Sequence, residues 1–591
     1  MNRRLLLLGR RAGINWLLRN EMNALAGEKG TWAKRDVESK IAFTSGWAEF
    51  TPQATPVYAE QDIVCSAPAI TRAAGVGVAS KFRCTGDGSF VPLALVTSAT
   101  PTWNATHVEA AFHRAATALS LTATYNATEG PIIATFVADG TVYRLALIAD
   151  GTAGYKYLIK GGVFTNWTLL FRSVLGNTAS LYAAMAGYNA AFGADFGRGP
   201  LYAIVLSNPL LLDTFSGAFG TPDTYGSPWL HAGTCASAAG VASCTPVAGV
   251  ELVTNGDFES AEPPGTAWNR GASWTVTGGQ AVHDGVSGLN NIIQAVLIVD
   301  QWYKSEFTAI NGSSLRVIFG GSANSGILRF GAGTYIDTKR ADAATFGLRT
   351  SSAASVSILS VKPLPISTLI ANQQLATTDV LAEAGLSAYT LGTQMGFCQS
   401  DRPFAFPANA NAAAGQNVIV LKNLTNAVPD TDSITIKHPI TPTTYTIASV
   451  SALVGGVQAL TLDSNLVEAV AANDMVGVNW TSWNGAIRYF DGAGNIKVDE
   501  VKAGVYTNRS SVATAFSADK RFIWRKIGTE YRGFYNEVLQ AAISTIDAAS
   551  MVGTYWGLFS TDASNTFNST VIYDTGNVTN SHSILDKYSR D

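Results

Sequence analysis

Reactive side chains are sparse in this chain, and their spacing argues against most hydrolytic chemistry. Six histidines (His107, His113, His231, His283, His438, His582) are scattered over 591 residues without a His-Glu-x-x-His pair. His107 and His113, six positions apart, suit no metal-binding face. No Gly-x-Ser-x-Gly elbow presents a nucleophilic serine, and no Gly-x-x-x-x-Gly-Lys loop cradles a phosphate. Several acids sit in Asp-Gly turns, such as Asp139, Asp150, Asp284 and Asp491, where the carboxylate stabilises the turn itself. Glycoside hydrolysis needs only two carboxylates about 5–10 Å apart, a distance that sequence spacing does not display, so a glycan-cleaving enzyme stays open as a rival reading. What remains is recognition by a surface. Trp and Tyr rings stack on the apolar faces of sugars while neighbouring Asn, Asp, Gln and Arg bond the hydroxyls. Trp268, Trp274, Trp302 and Tyr303 are the candidates for ligand contact. Trp302 and Tyr303 are adjacent, so on a strand they point to opposite faces and at least one is expected inward.

The elements that must hold these residues are predicted to be strands. Hydrophobic residues make up 47% and charged residues 14%, with 56 glycines and few long charged faces, a β-rich and neutral-surfaced composition. A chain of this length is expected to fold as several domains. The net charge of −3 argues against nucleic acid as a partner. One basic region stands out: residues 1–40 hold nine basic and four acidic side chains, a local +5 that leaves −8 elsewhere. In "GINWLLRNEMNALAGEKG" the apolar positions Ile14, Leu17, Leu18, Met22 and Leu25 recur at helical spacing, and Gly27 and Gly30 stop the pattern. Residues 1–44 therefore read as a short basic helical segment, packed on its own domain or attaching the chain to a larger assembly. The four-leucine run before Gly9 is shorter than the roughly 7–15 apolar residues of a secretory signal. No membrane span is expected, since the most apolar stretch, "LYAIVLSNPLLL", is broken by Asn208 and Pro209. Five cysteines are too few for a disulfide scaffold. Cys65 with Cys84, and Cys235 with Cys244, would close small loops in an oxidising medium, leaving Cys398 over; otherwise all are buried thiols.

Beyond the start, short strands alternate with Gly, Asp, Asn and Thr turns. In "TVYRLALIADGTAGYKYLI", Tyr143, Leu145 and Leu147 share a face, Asp150-Gly151 turns the chain, and Tyr155 and Tyr157 follow on the next strand. Residues 45–233 are read as one antiparallel β-sandwich. "AGTCASAAGVASCTPVAG" lacks periodicity and reads as a linker, 234–250. The chain begins again at Glu251 with "ELVTNGDFESAEPPGTAW", a short strand, an Asn-Gly turn and an acidic, Pro-bearing loop. Strand candidates such as "IIQAVLIVD", "SLRVIFGG" and "ASVSILSVKPL" continue the unit to 365. Residues 412–478 alternate strands around a Gly-Gly hairpin at Gly455.

"LVTNGDFE" with its following tryptophans, the "TGGQAV" turn and the closing "SVSILSVKPL" resemble the carbohydrate-binding-module jelly rolls of glycanases and of phage tail and virion proteins. That resemblance implies a structural calcium held by acids near the start, which falls on Asp257 and Glu259, oxygen ligands in a loop. Residues 412–478 resemble small β-barrel units of phage structural proteins. "RFIWRKIGTEYRGFYNE" and "YWGLFSTDASNTFNSTVIYDTG" resemble laminin-G-like, concanavalin-like sandwiches, implying that 366–411 and 479–591 form one sandwich with the barrel inserted in it. Residues 45–233 read as a divergent relative. Concanavalin-like sandwiches include glycanases, but their closely spaced acids, Glu-x-Asp-x-x-Glu, are not matched here.

The expected protein is thus all-β: tandem antiparallel sandwich and jelly-roll domains, a small inserted barrel and a short N-terminal helical segment. Its resemblances imply a phage virion protein, a tail fibre, spike or capsid-surface fibre assembled in the host cytoplasm. It would contact other virion proteins through its N-terminal segment and a host-surface glycan through its modules. By analogy it is a homo-oligomer, a trimer. No catalysis and no cofactor beyond the calcium are expected; a virion glycan depolymerase and a purely architectural decoration protein are the alternatives.

Overall fold

Alternation and turn chemistry give the first hairpin its register. In the computed structural model Tyr143–Ala149 pairs antiparallel with Tyr155–Gly161, Ala149 opposite Tyr155, across a turn in which Gly151 takes φ of 63°. The structure describes residues 18–576, apart from 20–31, 36–39, 45–46, 52–61, 67–68, 85–89, 99–107, 115–119, 126–127, 188–191, 196–197, 200–208, 220–221, 223–224, 261–266, 322–324, 439–442 and positions 138, 177, 179 and 287.

The protein is all-β, built of tandem antiparallel sandwiches. In the first, Phe164–Arg172, Tyr155–Gly161, Tyr143–Ala149, Gly77–Cys84, Phe192–Asp195, Trp47–Phe50 and Ile41–Thr44 lie side by side in one sheet. The facing sheet runs Thr128–Thr135, Ser120–Tyr125, Val108–Arg114, Phe90–Val96, Ser180–Gly187, Asp62–Ser66 and Trp32–Arg35, with Ile70–Thr71 also paired to Ser180–Gly187. Phe82, Phe112, Tyr143, Tyr157 and Phe171 fill the space between them.

The helix expected near the N-terminus falls largely on residues 1–17 and 20–31, outside the described residues. Leu18–Arg19 pairs as a strand with Arg198–Gly199. Trp32–Arg35 and Ile41–Thr44 are strands of the first sandwich, which corrects the reading of 1–44 as a segment apart from it.

The C-terminal sandwich is assembled from distant pieces. One sheet has the order Thr234–Ala238, Val241–Thr245, Thr566–Asp574, Val380–Ala388, Lys520–Ile527, Glu530–Tyr535, Val538–Ile543, with Leu211–Asp213 also on Thr566–Asp574. The expected linker is therefore a correction: 234–245 is a hairpin closed by the Cys235–Cys244 disulfide and stitched into this sheet by Ala242 opposite Phe567. Leu211–Asp213 likewise belongs here rather than to the first sandwich. The hairpin lacks an apolar stripe because its faces carry mostly Ala, Ser and Thr, so long-range pairing and the cross-link, not local pattern, hold it as strands. The side chain of Cys65 is outside the described residues; Cys398 is a buried thiol whose pKa burial pushes up.

The second sheet of this sandwich runs Ile370–Gln374, Tyr555–Ser560, Met395–Ser400, Gly485–Phe490, Asn495–Lys502 and Val505–Ala513. Its central strands are buried on both faces. Phe397, Ala486, Phe490 and Leu558 point to the partner sheet, whereas their neighbours Cys398, Ile487, Tyr489 and Phe559 join the core of the barrel.

That barrel has the strand order Ala405–Pro407, Met475–Asn479, Ser433–Ile436, Thr443–Val450, Gln458–Leu462, Val418–Leu421. A bridge between Ala408 and Leu421, with the Lys422 amide donating to Pro407 O at 3.1 Å, closes it. The jelly roll packs a sheet of Trp274–Thr277, Gln280–His283, Ala354–Leu364, Trp302–Gly312 and Gly333–Arg340 on a sheet of Asn269–Arg270, Asn290–Ala295, Thr345–Thr350 and Arg316–Phe319. Its two ends adjoin: the Leu252 amide donates to Val361 O and the Gly249 amide to Pro363 O. Gly256 is required at this seam, because a Cβ there would meet Leu359 O at 2.2 Å. No helix among the described residues is long and apolar enough to cross a membrane.

Candidate functional site

The four aromatic residues singled out from sequence are buried, with exposures of 0% for Trp268, 2% for Trp274, 2% for Trp302 and 1% for Tyr303. None offers a ring face to solvent, which corrects their assignment as stacking platforms. Trp268 packs on Phe258 and its indole N–H donates to Asn255 O at 3.0 Å. Trp274 meets His283 edge-on, and the Tyr303 hydroxyl accepts from the Ile298 amide at 2.7 Å. Trp302 and Tyr303 do point to opposite faces. Tyr303 fills the jelly-roll core, and Trp302 is buried by a neighbouring module, against Phe559, Tyr489 and Tyr506. A Trp that faces outward from one module becomes core once a second is docked on it.

Asp257 and Glu259 lie exposed at the jelly-roll opening, and Asp257 Oδ1 accepts from the Glu259 amide at 3.3 Å. Calcium takes six to eight oxygens. Among the described residues no group of three or more acidic, His or Cys side chains gathers here or elsewhere. Asp257 and Glu259 alone would supply only part of those oxygens.

Docking of the modules creates a groove of about 820 Å³ where jelly roll, barrel and C-terminal sandwich meet. The jelly roll supplies an apolar lip, the exposed Val250, Ile298 and Val299 beside Pro363. The barrel supplies the opposite wall of small hydroxyl residues, Thr431, Ser433, Thr444 and Thr446, with Thr481 beyond them. Trp302, Trp480, Trp483 and the half-buried Tyr506 form the base. Trp483 meets Tyr506 edge-on at 6.0 Å, and the indole of Trp480 donates to Pro403 O at 2.8 Å. These contacts fix the rings, so the floor is rigid.

The charges in the groove are arranged around two carboxylates. Asp300 is paired with Arg340, whose guanidinium also stands 3.6 Å from Asp499 Oδ2 and lies 4.5 Å over the Tyr506 ring. Asp432, 2% exposed, accepts at Oδ1 from the amide of Thr481 at 2.8 Å and its hydroxyl at 2.6 Å. Its Oδ2 is buried with no partner among the described residues. Burial pushes the Asp432 carboxyl above its ordinary pKa, against the pull of the Thr481 hydrogen bonds. Asn479 is committed, donating to Ser433 Oγ at 3.1 Å and accepting from Ser367 Oγ at 2.6 Å.

Of the sequence candidates only Trp302 lines this groove. Asp432 lies in "PDTDSITI", where an acid reads as one more turn residue. No local signal separates it, because its setting is made by Thr481 and by modules distant in sequence.

No family model matches the chain, and no curated protein matches it. Among solved structures the chain is similar to the T. cruzi calreticulin globular domain, 13% identical over 31% of this chain and 85% of that one, with a TM-score of 0.21. It is also similar to a structure described as the crystal structure of the receptor binding domain, 9% identical over 89% of this chain and 96% of that one, with a TM-score of 0.14. At these scores neither carries an argument.

Proposed function

We propose that the protein is a glycan-binding attachment protein of a virion, a fibre or spike subunit that recognises its ligand without cleaving it. The observation that carries this reading is the intermodular groove, with an apolar lip facing a wall of hydroxyls over a fixed aromatic base. A pyranose ring has the matching character, apolar on its faces and hydroxylated around its edge. Of the groove carboxylates, Asp300 is paired with Arg340, and Asp432 is held by Thr481 through one oxygen. Repetition of the groove in a homo-oligomer would turn weak single contacts into avidity.

The test is a purified-protein screen on a panel of bacterial surface polysaccharide fragments, with reducing ends measured in the same samples. Binding without new reducing ends is expected, abolished by a groove-filling Thr444→Trp substitution that leaves the melting transition in place. Turnover would replace this reading by the depolymerase, and silence across the panel with tight binding to particle proteins would replace it by the architectural role.

A further inference from the structure

Asp432 lines the groove with one oxygen bonded and one not. Its Oδ1 is saturated by two donors from Thr481, while Oδ2 is buried, unpartnered among the described residues, and belongs to a residue lining the groove. A buried acceptor without a donor is costly, and a ligand hydroxyl or amide N–H that reached it would recover that cost as affinity.

Two arginines that touch groove residues are already committed. Arg340 serves Asp300, Asp499 and the Tyr506 ring. Arg402 grips both oxygens of its neighbour Asp401, at 3.0 and 3.1 Å, and lies 4.8 Å over Trp480. Arg402 also acts on Asp432 through its charge, so an anionic sugar entering here would meet a carboxylate whose neighbouring cation is already shared with Asp401, an arrangement that costs rather than contributes affinity. The remaining polar partners are neutral hydroxyls of Thr431, Ser433, Thr444, Thr446 and Thr481.

We propose that the groove takes an uncharged saccharide, with Asp432 Oδ2 accepting from a sugar hydroxyl or N-acetyl N–H and excluding uronic and sialic acids. This rests on the glycan-binding reading and names its ligand class.

The experiment titrates the full chain with maltohexaose, chitohexaose and hexagalacturonate, for the unaltered protein, Asp432→Asn and Thr444→Trp. Asp432→Asn keeps the acceptor that holds Thr481 and puts a donor where Oδ2 stood. A neutral hexasaccharide should bind and hexagalacturonate should not; Asp432→Asn should weaken the neutral ligand by about tenfold or more, the size of one charge-assisted hydrogen bond. Thr444→Trp should abolish binding. If hexagalacturonate binds as well as the neutral sugars, or if Asp432→Asn leaves their affinity intact while Thr444→Trp removes it, the ligand class assigned here is wrong and the glycan groove stands. If a neutral sugar binds equally well to Thr444→Trp, the groove itself is wrong.

Discussion

Arg525 Nη1 lies 2.7 Å from the carbonyl oxygen of Ile133 and 2.6 Å from that of Leu170, so one guanidinium of the C-terminal sandwich closes two backbone acceptors of the first. Arg532 repeats the contact on Ile132 O at 2.9 Å, and Arg521 on Arg172 O at 2.8 Å. Around them Leu381, Ile523 and Phe534 complete the core of the first sandwich. Arg172 in turn reaches Glu383 at 3.1 Å. The two sandwiches are fixed to each other by buried polar groups as well as by apolar area.

Arg525→Met should therefore leave two buried carbonyls without donors and cost about 2–4 kcal/mol. Calorimetry should show a single transition splitting in two as the sandwiches lose their coupling. An unchanged, single transition would show that apolar area alone joins them.

The jelly roll docks on the C-terminal sandwich through Asp337, whose carboxyl is buried beside Arg329 and under the Gly392 turn. Burial raises its pKa to about 6, against the pull of Arg329 and Lys339. A carboxyl whose folded pKa lies above its unfolded one favours the fold most when protonated. The contribution is complete below about pH 4 and is lost as pH rises through about 6, on the order of 2–3 kcal/mol. Asp337→Asn should flatten stability between pH 4 and 7, measured by denaturant midpoints across that range, relative to the unaltered chain. Parallel curves for the two proteins would refute the assignment.

Trp268→Ala and Trp274→Ala should each cost about 3–5 kcal/mol, as for any large aromatic removed from a core, and should melt the jelly roll early. Proteolysis within 251–365 is the direct readout. Exposed stacking residues would leave both melting and cleavage unchanged.

Reduction of Cys235–Cys244, or a double Ser substitution, should lower stability by about 2–3 kcal/mol on the loop-closure account for residues nine apart. The loss should appear in the C-terminal sandwich, where Cys244 packs near Trp229 and Ala242, and not in the jelly roll.

Strand periodicity made the all-β class and the Tyr143–Tyr157 hairpin legible in the sequence, and the adjacency of Trp302 and Tyr303 correctly implied opposed faces. The 234–245 hairpin was not legible, because its strand partner, Thr566–Asp574, lies more than three hundred residues away. The groove escaped for the same reason. Asp432, Thr481, Ile298 and Tyr506 come together only after three modules dock; of the aromatic residues read as ligand contacts, Trp302 buries a joint between modules, while Trp268, Trp274 and Tyr303 fill the jelly-roll core.

Thr566–Asp574 sits in the interior of its sheet, between Val241–Thr245 and Val380–Ala388. During synthesis the flanking strands must therefore wait, the edges that face Thr566–Asp574 unpaired, until that strand has left the ribosome. The jelly roll and barrel, each contiguous in the chain, have every strand they need earlier. A nascent chain stalled before residue 566 would carry these two folded units on an unfinished scaffold, open to chaperones and to pairing with a neighbouring copy.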